Sequence, residues 1–323
     1  MSDATIENPT VQQAIVVDPD APSRLTLKGV LPPAPGPDEL VMRVVAASLN
    51  RGELRAAQSK PAGARIGWDV AGIVEQAAED GSGPAVGARV VGFLPQANGW
   101  SLRVAATTRY VAEIPEGVSD EDAAALPVAG LTALYGLERA SRLLGARVLI
   151  TGASGGVGLF AVQLAHAMGA HVVAQVRRDT HADVLSAAGA AEVIVDDDGD
   201  QVVASGSYRA IFDGVGGPLL AKALMRLETG GTAIAYGVTA SPSANVSLGA
   251  LLGSGSGRLE GFNLYHESRV LPPTQGLERL LRLVAEGRLK THIERTADWS
   301  EIGELATAVL EREIHGKAVM NIS

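Results

Sequence analysis

The chain has no cysteine, and that absence excludes disulfides, thiolate nucleophiles and every zinc site that relies on sulfur. It also lacks a surplus of positive charge, since 27 Lys and Arg stand against 36 Asp and Glu for a formal charge of -9. A large basic surface for nucleic acid or anionic lipid is therefore not expected, and the acidity is read as serving solubility. Long apolar runs are missing as well. One of the longest, over residues 126–137, contains Gly, Pro and Thr and falls short of the roughly 20 residues that span a bilayer, so no membrane partner is expected. The opening stretch MSDATIENPT has neither the positive start nor the apolar segment of a signal peptide, which makes a cytoplasmic location the expectation. What is present is core-forming material. Apolar residues make up 46% and charged residues 20% of the 323 positions, enough for about two globular domains.

Up to about residue 127 the sequence runs through short β-type segments: VQQAIVV, LVMRVVAASLN, DVAGIVEQA, ARVVGFL and RYVAEIP. Turn formers such as PPAPGPDE and EDGSGPAVG separate them, and the pattern predicts a compact, barrel-like β domain. At Ser119 the texture changes. A serine followed by Asp120, Glu121 and Asp122 reads as a helix cap with acidic residues at the positive end of the helix, so a domain boundary falls nearby. From Arg147 onward strand and helix segments alternate: RVLITG, 156–168, HVVAQV, 182–188, EVIV, AIFDGV, 219–227 and TAIAYG. Such alternation implies parallel strands joined by right-handed crossovers in a doubly wound sheet. Helices over 277–286 and 299–310 and a final strand KAVMNIS follow, and this tail is expected to pack back on the first domain. The division expected is 1–125, 126–265 and 266–323, with GSGSG at 253–257 as a mobile loop.

The strongest local signal is VLITGASGGVGLFAVQLAHAMGAHVVAQV, an apolar strand that enters a glycine cluster and leaves as a helix. Ala153, Gly155 and Gly158 fill the three slots of a dinucleotide fingerprint, with Gly156 and Val157 between them at the helix start. A side chain at the second slot would keep a pyrophosphate from the helix amides, and one at the third would push the helix off the sheet. The second strand ends in Arg177 and Arg178, where an acidic residue would bind the ribose 2′-hydroxyl of NAD. Guanidinium groups match a 2′-phosphate, so NADPH is the expected cofactor, unless one arginine only solvates the helix start beside Asp179. His181 either adds to the phosphate site or faces solvent.

Several spaced motifs together resemble the zinc-independent quinone oxidoreductase, or ζ-crystallin-like, branch of the medium-chain dehydrogenase/reductase superfamily. AASLNRGEL at 46–54 is similar to the family's ASLN-x-x-D segment, with Glu53 in place of Asp. GWDVAGIV, VGARVVGF, GASGGVG, FDGVGG, GGTAIAYG and HGKAVMNI follow in the family's order. The resemblance implies an α/β chain: a Rossmann doubly wound parallel sheet plus a GroES-like, β-barrel-type catalytic domain built from both chain ends. It places Thr132 near the nicotinamide and the backbone of Val215, Tyr236, Gly237, Phe262 and Asn263 along the cofactor. It turns Asn50 toward the reacting end, although a turn-stabilising asparagine at a strand end is the competing role. Zinc members of the superfamily use Cys and His ligands. Here there is no His before His166, and Trp68 and Asp69 stand where zinc enzymes have His and Glu.

Without a metal, the accessible acceptors are those that delocalise negative charge after hydride arrives, namely quinones and α,β-unsaturated carbonyls. Asn50 is the first candidate for donating a hydrogen bond to the developing oxyanion and Arg55 the second. Tyr110 and Tyr135 read as packing residues, which leaves water as the proton source. The alternatives to an NADPH-dependent quinone or enoyl reductase are an NADPH-binding redox sensor or structural protein and a natural-product tailoring reductase or cyclase. The strand-like RLEGFNL at 258–264 offers an edge through which a homodimer is expected to form.

Overall fold

The computed structural model describes residues 11–140, 142–253 and 255–323. The opening segment judged above for a signal sequence, and Ser254 within the predicted GSGSG loop, lie outside the described residues. Strands β1 (Gln12–Val17) and β2 (Leu25–Val30) form a hairpin. The first sheet is built on the long strand β3 (Glu39–Leu49), which β4 (Asp69–Gln76) follows along one edge. Strand β5 (Arg89–Phe93) continues beyond β4, and β6 (Arg103–Thr107) returns to pair with residues 39–43 of β3. Strand β7 (Val111–Glu113) is shorter than its sequence pattern predicts, because Arg109 and Tyr110 lie in a 3-10 turn. Between β3 and β4 sits a short helix, α1 (Arg51–Ala57), that the strand pattern does not announce. Alternate residues of these strands, among them Leu40, Met42 and Val44, fill a core with Ile15, Val70, Val104 and Trp100.

The helix expected after Ser119 is two helices, α2 (Asp120–Ala124) and α3 (Pro127–Arg139). Ser119 caps the first, accepting from the Asp122 amide at 3.0 Å, and Pro127 has no amide hydrogen to continue a helix but suits the first turn of a new one. The second sheet then forms from β8 (Arg147–Thr151), β9 (His171–Val176), β10 (Glu192–Val195), β11 (Tyr208–Asp213), β12 (Leu227–Ala235) and β13 (Arg258–Gly261). Its spatial order is β10-β9-β8-β11-β12-β13, every pairing parallel. That is the doubly wound order, whose reversal between β8 and β11 opens a crevice at the carboxyl ends of the strands.

Helices cover both faces of this sheet, which is why its strands are apolar without alternation. Val148, Ile150, Ala210 and Phe212 face a core shared with α3 and with α4 (Gly156–Ala167). Leu149 and Ile211 face the opposite core, with Leu219, Leu220 and Ala223 of α7 (Gly217–Leu224); α5 (Ala182–Ala187) and α6 (Asp200–Ala204) precede α7. After α8 (Leu248–Gly253) and α9 (Leu264–Glu267), helix α10 (Pro273–Ala285) places Leu277, Leu280 and Leu281 in the same core as Phe93 and Ala112 of the first sheet. The chain re-enters the first sheet at β14 (Ile293–Asp298), passes through α11 (Ile302–Glu311), and ends in β15 (Lys317–Asn321), antiparallel to residues 46–49 of β3. Residues 315–317 thereby reach the glycine turn, where Gly155 and Gly316 form a bridge.

Candidate active site

The turn after β8 is stapled to its neighbour before any ligand arrives. Gln175, buried at the end of β9, accepts from the Gly152 amide at 2.9 Å through its side chain and from the Ala153 amide at 3.0 Å through its carbonyl. Helix α4 starts at Gly156, and the first amides of a helix have no intrahelical acceptor, so they are available to an anion together with the helix dipole. Space is closed at Gly158 and tight at Gly156. A Cβ on Gly158 would stand 2.6 Å from the carbonyl oxygens of Gly152 and Ala153, and one on Gly156 would stand 3.1 Å from the Gly316 oxygen and Lys317 Cδ. Asp213 locks the adjoining strand ends together: it accepts from Thr151 Oγ1 at 2.6 Å and from the Gly216 amide at 2.8 Å. Burial pushes its carboxyl above the usual range.

Gly155, Gly156, Val157 and Gly158 line a cavity of about 780 Å³ between the two sheets. Four arginines line it too: Arg177 from the end of β9, Arg51 and Arg55 from α1, and Arg312 just after α11. Burial, and then the charges of Arg312, Arg55 and Arg177, pull Arg51 down to about 10. Arg178 is exposed and does not line the cavity, although its charge reaches Arg312. His181 packs against His315 with the rings tilted and their centroids 3.8 Å apart, and among the described residues its Nε2 is buried without a partner. Arg55 lines the same cavity, and its charge bears on both Arg51 and Arg312.

Asn50 is corrected on geometry. It caps α1 in a reciprocal capping box with Glu53. Its amide nitrogen donates to Asp69 Oδ2 at 2.6 Å and to Glu53 Oε1 at 3.2 Å, and its oxygen accepts from Lys317 Nζ at 2.8 Å. Both donors of the carboxamide are committed, so Asn50 organises the site and has no hydrogen left for a substrate oxyanion. Around it lies a buried ionic network. Asp69, with no exposed surface, accepts from Ser48 Oγ at 2.8 Å and the Val128 amide at 3.0 Å and pairs with Lys317 Nζ at 3.4 Å. Glu53 accepts from the Asn50 and Trp68 amides at 2.7 and 3.0 Å, and burial beside Asp69 raises its carboxyl well above the ordinary value. That favours the neutral form and leaves Asp69 and Lys317 to balance each other.

Residues 36–117 match the family described as the alcohol dehydrogenase GroES-like domain, and residues 156–285 match the zinc-binding dehydrogenase family. A quinone oxidoreductase from Coxiella burnetii superposes with a TM-score of 0.83 at 26% identity, covering 97% of this chain and 100% of that one. The chain belongs to the medium-chain dehydrogenase/reductase superfamily, in its quinone-oxidoreductase-like branch. An acryloyl-coenzyme A reductase of Sulfurisphaera tokodaii is 25% identical over 340 residues, 95% of this chain and 99% of that protein. A mycocerosic acid synthase-like polyketide synthase of Mycobacterium tuberculosis is 36% identical over 166 residues, 49% of this chain. That match spans only 8% of the synthase's length.

Within this superfamily fold, Thr132 of α3, Val215 after β11, Tyr236 and Gly237 after β12, and Phe262 and Asn263 after β13 all line the same cavity as the glycine turn. Asn263 also caps α9, its side chain accepting from the Tyr265 amide at 3.0 Å. Tyr236 stacks on Phe212 at 4.3 Å, and burial raises its phenol. Tyr135 donates to the Pro272 carbonyl at 2.9 Å, and Tyr110 packs edge-on against Phe93, as packing residues do. Lys317, Asp213, Gln175, Arg312 and Tyr265 were not anticipated as site residues. Tyr265 lies edge-on to Trp68 at 4.9 Å with its hydroxyl unpartnered among the described residues; burial first, and then the neighbouring acids Glu53 and Asp69, raise its phenol. The lysine directly after the glycine of HGKAVMNI and the aspartate of FDGVGG were the local signals available.

Proposed function

We propose that this chain is an NADPH-dependent reductase that delivers hydride to a quinone or an α,β-unsaturated carbonyl without a catalytic metal. The observation that carries this reading is one cavity with two contrasting ends. On one side the glycine turn meets a group of arginines, and on the other Asn50, Trp68 and Lys317 line the wall, with Asp69 and Glu53 buried behind them and already bonded to Lys317, Asn50, Ser48, Val128 and Trp68. A zinc ion needs carboxylate, imidazole or thiolate atoms that are free to coordinate. Here an ammonium group fills the charge-balancing place beside Asp69. A site of this chemistry favours conjugated acceptors, whose charge delocalises without a Lewis acid. The relative named as an acryloyl-coenzyme A reductase supports the same class.

The bound nicotinamide would supply the hydride. The amides at the start of α4 would hold the pyrophosphate, and Arg177 would hold the 2′-phosphate that separates NADPH from NADH. Thr132 and Val215 would position the reacting ring, with Trp68 and Tyr265 as an aromatic wall that excludes water. Water is the proton source in this proposal. A homodimer formed through β13, an edge strand of the second sheet, and a cytoplasmic location complete the reading. Among the described residues no helix is long and apolar enough to cross a membrane.

The test mixes purified protein with NADPH and a panel of quinones, enones and 2-enoyl thioesters, following absorbance at the nicotinamide band. Oxidation with at least one conjugated acceptor, and none with simple ketones, is the expected result. Measurable NADPH binding with no oxidation by any acceptor would overturn it.

A further inference from the structure

Trp68, directly before β4, is half-buried and lines the cavity on the same wall as Asn50 and Lys317. Its indole N–H has no acceptor among the described residues, and unlike the N–H of Trp100 it is not shut away in the core. The other donors beside it are committed or closed off. Both hydrogens of the Asn50 amide go to Asp69 and Glu53, the Lys317 ammonium donates to Leu49, Asn50 and Asp69, and the Tyr265 hydroxyl is buried. Thr132 lines the cavity too, but the reading above gives it the nicotinamide ring. A substrate oxygen on this wall therefore meets an indole N–H that is free to donate.

The ring is also held where it stands. Its backbone is fixed on both sides, the Trp68 amide donating to Glu53 Oε2 at 3.0 Å and its carbonyl accepting from the Leu94 amide at 2.7 Å. The far end of the six-membered ring lies over Gly52 of α1, where a Cβ would stand 3.5 Å from Cζ3. Tyr265, itself packed on Phe93 at 5.4 Å, meets the indole edge-on. A donor fixed before the substrate arrives needs no reorganisation when charge develops in front of it. We propose that Trp68 is a catalytic residue, its Nε1–H donating a hydrogen bond to the carbonyl or quinone oxygen on which negative charge develops. This rests on the reductase reading above. With an enone, the hydride forms a C–H bond at the β-carbon, the C=C electron pair shifts so that the carbonyl oxygen becomes an enolate oxygen, and water then protonates the α-carbon, leaving hydroxide. The indole keeps its hydrogen throughout and stabilises the oxygen while it is charged.

Site-specific replacement of Trp68 by 3-benzothienylalanine tests it, because that side chain keeps the bicyclic shape and puts sulfur where the N–H stood; Trp68→Phe is the simpler companion. Two probes are titrated into the full chain loaded with NADP+: 4-nitrophenolate as a stable oxyanion and nitrobenzene as its uncharged counterpart. Both variants should bind 4-nitrophenolate about 10- to 100-fold more weakly than the wild type, with nitrobenzene within about twofold in the benzothienyl variant. With the acceptor of the panel above that the wild type reduces fastest, kcat should fall about 100-fold in the benzothienyl variant while KM stays within about threefold. Wild-type kcat and 4-nitrophenolate affinity in that variant would overturn the proposal while leaving the reductase reading standing. Equal losses for the two probes would reduce Trp68 to a wall that shapes the cavity, and a loss in Thr132→Val or Arg55→Ala without one in the benzothienyl variant would move the donor there; either overturns it. A wild type that oxidises NADPH with no acceptor would overturn both readings.

Discussion

Replacing Lys317 by Met removes the one cation bonded to the buried carboxylate of Asp69 while keeping the length of the aliphatic stem against Gly156. The ammonium donates to Leu49 O at 3.2 Å, Asn50 Oδ1 at 2.8 Å and Asp69 Oδ2 at 3.4 Å, and both charged groups are buried, at 2% and 0% exposure. Asp69 keeps its bonds from Ser48, Asn50 and Val128, but those are dipoles and cannot cancel its charge. Removing one partner of a buried pair costs about 3–5 kcal/mol, against a total stability of about 5–15 kcal/mol. Guanidinium unfolding followed by fluorescence of Trp68, Trp100 and Trp299 should therefore show a midpoint lowered by roughly a fifth or more at constant slope. The double variant Lys317→Met, Asp69→Asn removes both charges and should be less destabilised than the sum of the single changes by at least about 1.5 kcal/mol. A single-variant loss below about 1 kcal/mol, or strict additivity in the cycle, would refute the buried-pair argument.

Gly158→Ala should abolish detectable dinucleotide binding in a fluorescence titration, because the new Cβ meets two backbone oxygens that cannot move without opening the turn; retained affinity would contradict the geometry. Tyr265→Phe should leave the melting temperature unchanged or slightly raised, since its hydroxyl has no partner, whereas Tyr135→Phe should cost about 1 kcal/mol through loss of the bond to Pro272. Acid should destabilise the protein through its histidines. His292 and His315 are held below the ordinary 6.5, by burial first and then by Lys290 and His181 respectively. The unfolded chain then binds protons that the folded one refuses, so stability rises with pH, is complete above 6.5 and is lost as pH falls through and below that value. Melting temperatures measured from pH 5 to 8 should follow that slope, and it should flatten in His292→Asn; a profile flat in the wild type would count against it.

Much of the fold was legible because its causes are local. Short β-type runs between turn formers marked β3, β4 and β5, and Gly158 must be small because of contacts made within six positions. The α1 helix was harder to see, since Leu49 to Ala57 contains one reciprocal cap and too few residues for a helical stripe. The split at Pro127 is a backbone fact that the apolar pattern conceals. The site was legible in part. The cavity gathers Thr132, Val215, Tyr236, Gly237, Phe262 and Asn263 with the glycine turn, but the role given to Asn50 changed once its neighbours were visible.

By itself the sequence determined the two kinds of sheet, the dinucleotide turn and the absence of sulfur ligands, since each depends on residue identity within one or two turns of chain. Only the tertiary structure decided which charges meet. Lys317 lies 248 positions from Asp69, and the pair exists because β15 runs antiparallel to the end of β3 while β4 runs along its other side. His181 and His315 meet for the same kind of reason, across a cleft whose walls come from separate parts of the chain. No spacing rule encodes such contacts, because the energy that selects them is the packing of whole sheets and not the preference of a segment.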